Sequence, residues 1–151
     1  MTDIYTPSPG TLIPAKRGEL AALFGSGRVG SIPDGHGRGT VLIGTGGITS
    51  RLTAAACYAL AWRGKMVNAR AERLKNILTP LNIQAIEAVV YKQASWHDGA
   101  PCIVLDYSKT SLVARQIRDE IREVAPGVFL GLVFWGRHHI LDFALDFTSE
   151  R

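Results

Sequence analysis

The chain has 151 residues, of which 46% are hydrophobic and 20% are charged, and its formal net charge is +4. This length and balance predict one folded domain with a sizeable core and exclude a disordered chain. No apolar run approaches the roughly 18 residues of a membrane span, and the basic residues form no block. We therefore expect neither a membrane nor a nucleic acid as partner. The first residues lack a basic start followed by an apolar stretch, so we expect a cytoplasmic protein.

The first half of the chain predicts short elements. Prolines at positions 7, 9 and 14 predict an irregular arm over residues 1–16, before a single domain over residues 17–151. Residues 17–24 predict a short helix that is ended by glycines, and residues 31–39 predict a loop. The next elements are a strand at 40–43, a helix at 48–61, a strand at 62–67 and a helical or looped crossover at 69–79.

The second half predicts strands around one helix. The elements are strands at 85–97 and 100–107, a helix at 111–124, and strands at 128–135 and 138–147. Tight turns join consecutive strands, so the sheet should be mainly antiparallel. The sequence thus predicts an α+β fold. It would be a curved antiparallel sheet or a lipocalin-like β-barrel of about six or more strands, with two or three packed helices.

Two turns predict the register of these strands. Asp98-Gly99 is typical of a two-residue hairpin turn and would place Tyr91 opposite Asp106. Gly136-Arg137, with glycine first, fits a type II′ turn and would place Trp135 opposite His138.

The last hairpin has two mostly apolar faces. The predicted core face carries Val128, Leu130, Leu132 and Phe134 opposite His139, Leu141, Phe143 and Leu145. The second face carries Phe129, Gly131, Val133 and Trp135 opposite His138, Ile140, Asp142 and Ala144.

Gly131 would lie directly opposite Asp142 on the second face, and a glycine within a strand often marks a close approach. We expect a cavity in which Asp142 is the polar anchor or base. A face covered by a helix or by the N-terminal arm, with Asp142 paired to an arginine, would give the same pattern.

The predicted helix over 111–124 supplies a candidate partner. Arg118 borders its apolar stripe and could reach an anionic ligand group or Asp142, although such an arginine can also extend to water. Helical spacing makes Asp119 a surface residue that forms ion pairs with Arg115 and Arg122.

Two further groups of polar and aromatic residues are candidates for the site. Trp62 could close a barrel end or stack on a ligand, and regular alternation places Lys65 on the opposite strand face. Asp106 with Tyr91 and Tyr107 could form a hydrogen-bonded acid pair or a structural network.

Metal and cofactor sites are not expected. His138 and His139 are adjacent on a strand, so they point to opposite faces and cannot chelate one ion. Cys57 and Cys102 lie in apolar contexts, which is typical of buried thiols in a reducing compartment. No nucleophile, histidine and acid stand in a recognisable catalytic order.

Three short motifs carry a resemblance to known proteins. They are Trp62-Arg63-Gly64-Lys65, the turn Asp98-Gly99-x-Pro101, and the strand Gly127-Val128-Phe129-Leu130-Gly131. Their order over residues 60–147 resembles uncharacterised bacterial proteins with a Trp-x-Gly-Lys motif, which are similar to the lipocalin-like (calycin) barrels. The resemblance implies an antiparallel barrel that holds a small hydrophobic ligand.

Three functions fit these patterns. The first is a binding protein for a small hydrophobic molecule with an acidic or carbonyl group, held by Arg118 or Lys65. The second is a cofactor-independent isomerase, cyclase or lyase in which Asp142 accepts a proton, supported by Tyr107, His138 or Arg118. The third is an interaction domain whose apolar face forms a homodimer.

Overall fold

The chain forms a closed antiparallel β-barrel, as the computed structural model shows for residues 17–42, 62–78 and 83–148. Within these ranges there are eight strands and one helix, α1 (Arg17–Ser26). The strands are β1 (Gly35–Leu42), β2 (Trp62–Asn68), β3 (Arg73–Leu78), β4 (Ile83–Ala94), β5 (Pro101–Asp106), β6 (Ile117–Ala125), β7 (Val128–Trp135) and β8 (His138–Asp146). Each strand pairs with the next one, and β8 pairs with β1 to close the barrel.

The predicted antiparallel sheet is confirmed and is a closed barrel, which fits the lipocalin-like resemblance. The α+β assignment with two or three helices is not supported, because α1 is the only helix within the described ranges. The crossover predicted over residues 69–79 contains strand β3, and β1 begins inside the predicted loop over 31–39. The predicted arm over 1–16 and the predicted helix over 48–61 lie outside the described residues.

The helix predicted over residues 111–124 is wrong, because most of this stretch is strand β6. The sequence of β6 carries ionisable residues on both faces, which hides the alternation that normally marks a strand. Pairing with β5 and β7 on its two sides overrides the helical propensity of these residues.

Two apolar clusters lie on opposite sides of the barrel wall. The interior cluster includes Leu74, Val90, Ile103, Leu105, Ile121, Phe129 and Leu145. The outer cluster lies under α1 and includes Leu42, Cys102, Val104, Leu130, Leu132 and Ala144. Leu20 and Phe24 of α1 pack into the outer cluster with almost no exposed surface. The helix thus covers the outer apolar face of the last hairpin. The predicted homodimer through an apolar face stays a prediction.

The outer face of β6 is covered by the end of β4 and by the loop between β4 and β5. Arg118 donates to Gln93 Oε1 and to the Ala94 carbonyl, at 3.0 Å each, and pairs with Glu120 at 3.1 Å. Glu120 in turn accepts hydrogen bonds from the Ser95 hydroxyl and from the Trp96 amide. These buried charges are paired and hydrogen-bonded, as buried ionic groups must be.

Arg122 forms the second ion pair of this outer network. Its guanidinium donates to both carboxylate oxygens of Asp98, at 2.6 and 2.7 Å. The hydrogen bonds from Arg122 hold the pKa of Asp98 down at about 2.

The predicted two-residue turn at Asp98-Gly99 is wrong. The strands separate at the Ala94–Pro101 pair, and Tyr91 lies opposite Val104.

We expect the ion pair of Arg122 with Asp98 to make the free energy of unfolding depend on pH in the acidic range. The pKa of Asp98 is lower in the folded state than the roughly 3.9 of an unfolded chain, so its contribution is complete above about pH 4. As the pH falls toward 2, this contribution should be lost. The free energy of unfolding should then be lower by about 1–2 kcal/mol, after allowance for the partial exposure of Asp98. Urea unfolding at stepwise pH would show the difference between wild type and Asp98→Asn shrinking over this window. A difference that stays constant from pH 5 to about pH 2 would contradict the prediction.

Candidate functional site

A cavity of about 220 Å³ opens at the barrel end where β7 meets β8 and where β6 begins. Barrels of eight strands are just wide enough inside to hold one small ligand. The walls of the cavity are apolar and consist of Val41, Ile86, Val113, Ala114, Ile117, Val133, Trp135, Ile140, Leu141 and Phe143. Five further side chains form the polar floor of the cavity: Trp62, Lys65, Asn76, Tyr107 and Asp119.

The polar floor is a single hydrogen-bonded cluster centred on Lys65. The Lys65 ammonium donates to Asn76 Oδ1 and to the Tyr107 hydroxyl oxygen, at 2.7 Å each, and lies 3.0 Å from Asp119 Oδ2. The Trp62 indole donates to Asn76 Oδ1 at 3.1 Å. The Tyr107 hydroxyl donates to Asp119 Oδ2 at 3.2 Å. Lys65 is 3% exposed and Asp119 is 4% exposed, so this ion pair is shielded from water.

Three aromatic rings surround the Lys65 side chain. Its Nζ lies 5.3 Å from the centroid of the Trp62 ring and 5.4 Å from those of Tyr107 and Phe143. Aromatic faces attract a cation through their quadrupoles, most strongly where water is excluded. Burial raises the pKa of Tyr107 well above its ordinary value, and the negative charge of Asp119 adds to the effect. Tyr107 is therefore a neutral phenol that can donate a hydrogen bond.

Asp119 has one oxygen that the cluster does not use. Its Oδ2 meets Lys65 and Tyr107, whereas its buried Oδ1 has no hydrogen-bond partner among the described residues. Buried polar atoms in folded proteins are nearly always hydrogen-bonded, so an exception requires a specific explanation.

Strand irregularities bring the floor residues together. In a regular strand Trp62 and Lys65, three positions apart, would face opposite sides. A β-bulge at Arg63 shifts the register, so both side chains line the cavity. Regular alternation therefore gives the wrong face for one of them. Bulges are frequent at barrel rims and next to binding sites, where they redirect side chains.

A second bulge lies at Ile86 in β4. Asn76 pairs with Ala85 and Lys75 pairs with Glu87, so Ile86 is the extra residue. Its φ of 55° is unusual for a β-branched side chain and is strained. The Ile86 carbonyl accepts a hydrogen bond from Asn76 Nδ2 at 2.9 Å. The strained bulge therefore holds the amide of Asn76 in the floor.

The predicted position of Asp142 in the cavity is wrong, because a bulge at Ile140 shifts β8 by one residue. Trp135 lies opposite His138 as predicted, but beyond the bulge Leu132 lies opposite Asp142 and Gly131 lies opposite Phe143. Asp142 therefore shares the outer face with Leu132 and Leu42. There its Oδ1 lies 2.6 Å from His139 Nε2. The β7 half of the predicted face does point inward, with Val133 and Trp135 in the wall and Phe129 in the interior cluster.

The space at Gly131 is taken by an aromatic ring. A methyl group built on Gly131 would overlap the Phe143 ring, which forms part of the cavity wall. The glycine thus leaves room for the Phe143 ring against β7, and not for a cavity at Asp142 as the sequence predicts.

We expect Gly131→Ala to lower the free energy of unfolding by about 1–3 kcal/mol, because the added methyl group must displace the Phe143 ring. Chemical denaturation would measure the loss. The double variant Gly131→Ala/Phe143→Leu should lose less than the sum of its two single variants. Simple addition of the two losses would show that the ring and the methyl group do not compete.

The other predicted site residues lie outside the cavity. Arg118 is buried in the outer network, and His138 is exposed beside the β7–β8 turn. The Tyr91 hydroxyl donates to Asp106 at 2.9 Å, as predicted, but without Tyr107, which faces the interior. Trp62, Lys65 and Tyr107 do line the cavity. The role of each of these residues in binding or catalysis stays a prediction.

Two floor residues were not predicted, Asn76 and Asp119. Helical spacing predicts Asp119 on the surface of a helix, and Asn76 lies in the predicted crossover over residues 69–79. An acid between two isoleucines at strand spacing, Ile117-x-Asp119-x-Ile121, was the available signal for Asp119.

Comparisons with known proteins show the fold. No protein-family description matches the sequence, and no curated protein matches it. A crystal structure of a protein from Thermomonospora curvata is similar, with a TM-score of 0.60 and 16% identity over 87% of each chain.

Within the described residues, no helix is long and apolar enough to cross a membrane, and no cluster of His, Cys, Asp or Glu could hold a metal ion.

Proposed function

We propose that this protein binds a small hydrophobic molecule inside the barrel. The observation that carries the proposal is a cavity with apolar walls above a compact polar floor. Ligand sites typically combine a mostly apolar lining with a few placed polar groups that fix orientation. The apolar body of the ligand would contact Ile117, Val133 and Phe143, and its polar end would lie on the floor.

The floor supports a site that is formed before the ligand arrives. Its side chains are fixed by mutual hydrogen bonds and by bulges in β2 and β4, so few rotamers remain to be ordered on binding. Preorganisation of this kind raises affinity because less conformational entropy is lost. In this proposal the anchor is the carboxylate of Asp119 with Lys65, in place of Asp142 with Arg118.

Native mass spectrometry of the protein purified from its own host would test the proposal. We expect a fraction of the protein to retain a small molecule, and denaturation should release it for identification. The variant Val133→Phe should lose the retained mass because the larger ring fills the cavity. Val89→Phe is the matched control, since Val89 alternates with the interior residues Ala88 and Val90 and lies outside the cavity. Equal retention by both variants would overturn the proposal.

An enzyme that uses the same cavity is the second candidate. One observation favours it, namely a buried carboxylate in the cavity lining that lies next to a neutral phenol and whose Oδ1 has no hydrogen-bond partner among the described residues. Asp119 Oδ1 would accept a proton from a bound substrate, and the Tyr107 hydroxyl would be the nearby donor. This arrangement suits cofactor-independent isomerisation, cyclisation or elimination within an apolar molecule.

Incubation with the retained compound and its precursors separates the two candidates. Under the enzyme hypothesis, wild-type protein should convert an added precursor, and Asp119→Asn should remove that turnover. Under the binding hypothesis, wild-type protein should return the compound unchanged. The variant Asp142→Asn is the control, because Asp142 lies on the outer face and should leave either behaviour unaltered.

A further inference from the structure

We infer that the polar end of the ligand is a hydrogen-bond donor, such as an alcohol or a phenol, and that Asp119 Oδ1 accepts it. The inference rests on the proposed function, since it assigns the chemistry of a molecule bound in the same cavity. It replaces the acidic or carbonyl group that the sequence suggested.

Every hydrogen-bond donor of the floor already faces an acceptor within the floor or on the backbone. The Lys65 ammonium donates hydrogen bonds to Asn76 and Tyr107, and it forms an ion pair with Asp119 Oδ2 at 3.0 Å. The two amide protons of Asn76 meet the Ile86 carbonyl and the Tyr107 oxygen. The indole proton of Trp62 goes to Asn76, and the hydroxyl proton of Tyr107 goes to Asp119.

The orientation of the Asn76 amide follows from its neighbours. Trp62 Nε1 and Lys65 Nζ can only donate, so the atom between them must be the amide oxygen. Asn76 Oδ1 thus accepts two hydrogen bonds, and the Tyr107 oxygen accepts two while its proton is donated. Asp119 Oδ1 is the acceptor that remains without a partner among the described residues.

This inventory selects the ligand by hydrogen-bond type. A ketone or an ether would bring only acceptors to a floor that has no free donor. A carboxylate would add a second negative charge beside Asp119 in a site shielded from water, where like charges repel strongly. A hydroxyl group instead satisfies the buried oxygen, and hydrogen bonds to charged groups are the stronger ones.

Matched ligand series on one apolar skeleton would test the inference. Each series contains an alcohol or phenol, its methyl ether and the corresponding carboxylic acid, for example naphthol, methoxynaphthalene and naphthoic acid, on cyclic, aromatic and linear skeletons. Isothermal titration calorimetry on the full chain should show the hydroxyl compound binding at least about tenfold more tightly than its ether. The acid should bind most weakly of the three.

The outcomes separate this inference from the proposed function. Equal affinities for alcohol and ether, or tightest binding of the acid, would overturn the inference and leave the proposed binding function standing. Equal affinities would mean that water satisfies Asp119 Oδ1. If no member of any series binds and Val133→Phe titrates identically, the proposed function fails, and the inference fails with it.

Asp119→Asn offers a second measurement. Lys65 and Tyr107 both donate toward this side chain, so the amide oxygen should face them and the amide NH₂ should replace Oδ1. The free acceptor becomes a free donor, and the preference should reverse in favour of the ether or ketone. A folded variant that still prefers the alcohol would overturn the inference. If the variant does not fold, the wild-type series decides alone.

Discussion

Lys65→Met should lower the free energy of unfolding by about 3–5 kcal/mol, which is the usual cost of removing one partner of a buried ion pair. The lysine is 3% exposed and supplies hydrogen bonds to Asn76 and Tyr107 as well as the charge that faces Asp119. Methionine fills a similar volume, so the loss should come from the stranded carboxylate and not from a void. Urea unfolding followed by tryptophan fluorescence would measure it, since Trp62 lies in the same cluster.

Two further variants show whether the loss has this origin. Lys75→Met, on the exposed side of β3, should change stability by less than about 0.5 kcal/mol. The double variant Lys65→Met/Asp119→Leu should recover a large part of the loss, because it removes both buried charges together. A double variant that is as unstable as the sum of its single variants would mean that Lys65 and Asp119 do not depend on each other.

The alternation of residues along the strands predicts one part of the candidate site correctly and another part incorrectly. Alternation within β7 correctly predicts an inward apolar face with Val133 and Trp135, because that strand is regular up to its end. Alternation fails at β2 and β8. In each strand a single extra residue reverses the side of the sheet to which all later side chains point. One inserted residue moved Asp142 out of the predicted cavity, and another brought Lys65 to the same side as Trp62. A bulge depends on the neighbouring strands, so one strand's pattern does not reveal it.

The helix predicted over residues 111–124 failed for a related reason. The alternating residues Arg118, Glu120 and Arg122 are buried on the outer face of β6, whereas charged residues usually indicate solvent. Their partners come from the β4–β5 loop and from α1, which are distant in sequence. Asp119 lies between these charges in the sequence, so its pattern predicts the same solvated surface. The charges of Arg118, Glu120 and Arg122, which stabilise the fold, thus conceal the one carboxylate of β6 that lines the cavity.

Arg122→Met is the second substitution for which we expect a large effect, a loss of about 3 kcal/mol in the free energy of unfolding. Arg122 is 1% exposed, and its guanidinium donates to the carbonyls of Phe24, Ala100 and Pro101 at 3.0–3.1 Å as well as to Asp98. Its plane also lies over the Phe24 ring, at 4.5 Å. One side chain thus joins β6, the β4–β5 loop and helix α1.

The location of the damage distinguishes this role from general destabilisation. Hydrogen exchange should show lost protection in α1 and in residues 95–100, while β2, β3 and the cavity floor stay protected. Arg122→Lys keeps the charge but not the planar set of donors, so it should lose an intermediate amount. Arg115→Met, at an exposed position before β6, should change neither stability nor exchange. If Arg122→Met lost protection evenly around the barrel, the arginine would stabilise the whole fold and would not specifically hold the helix against its outer wall.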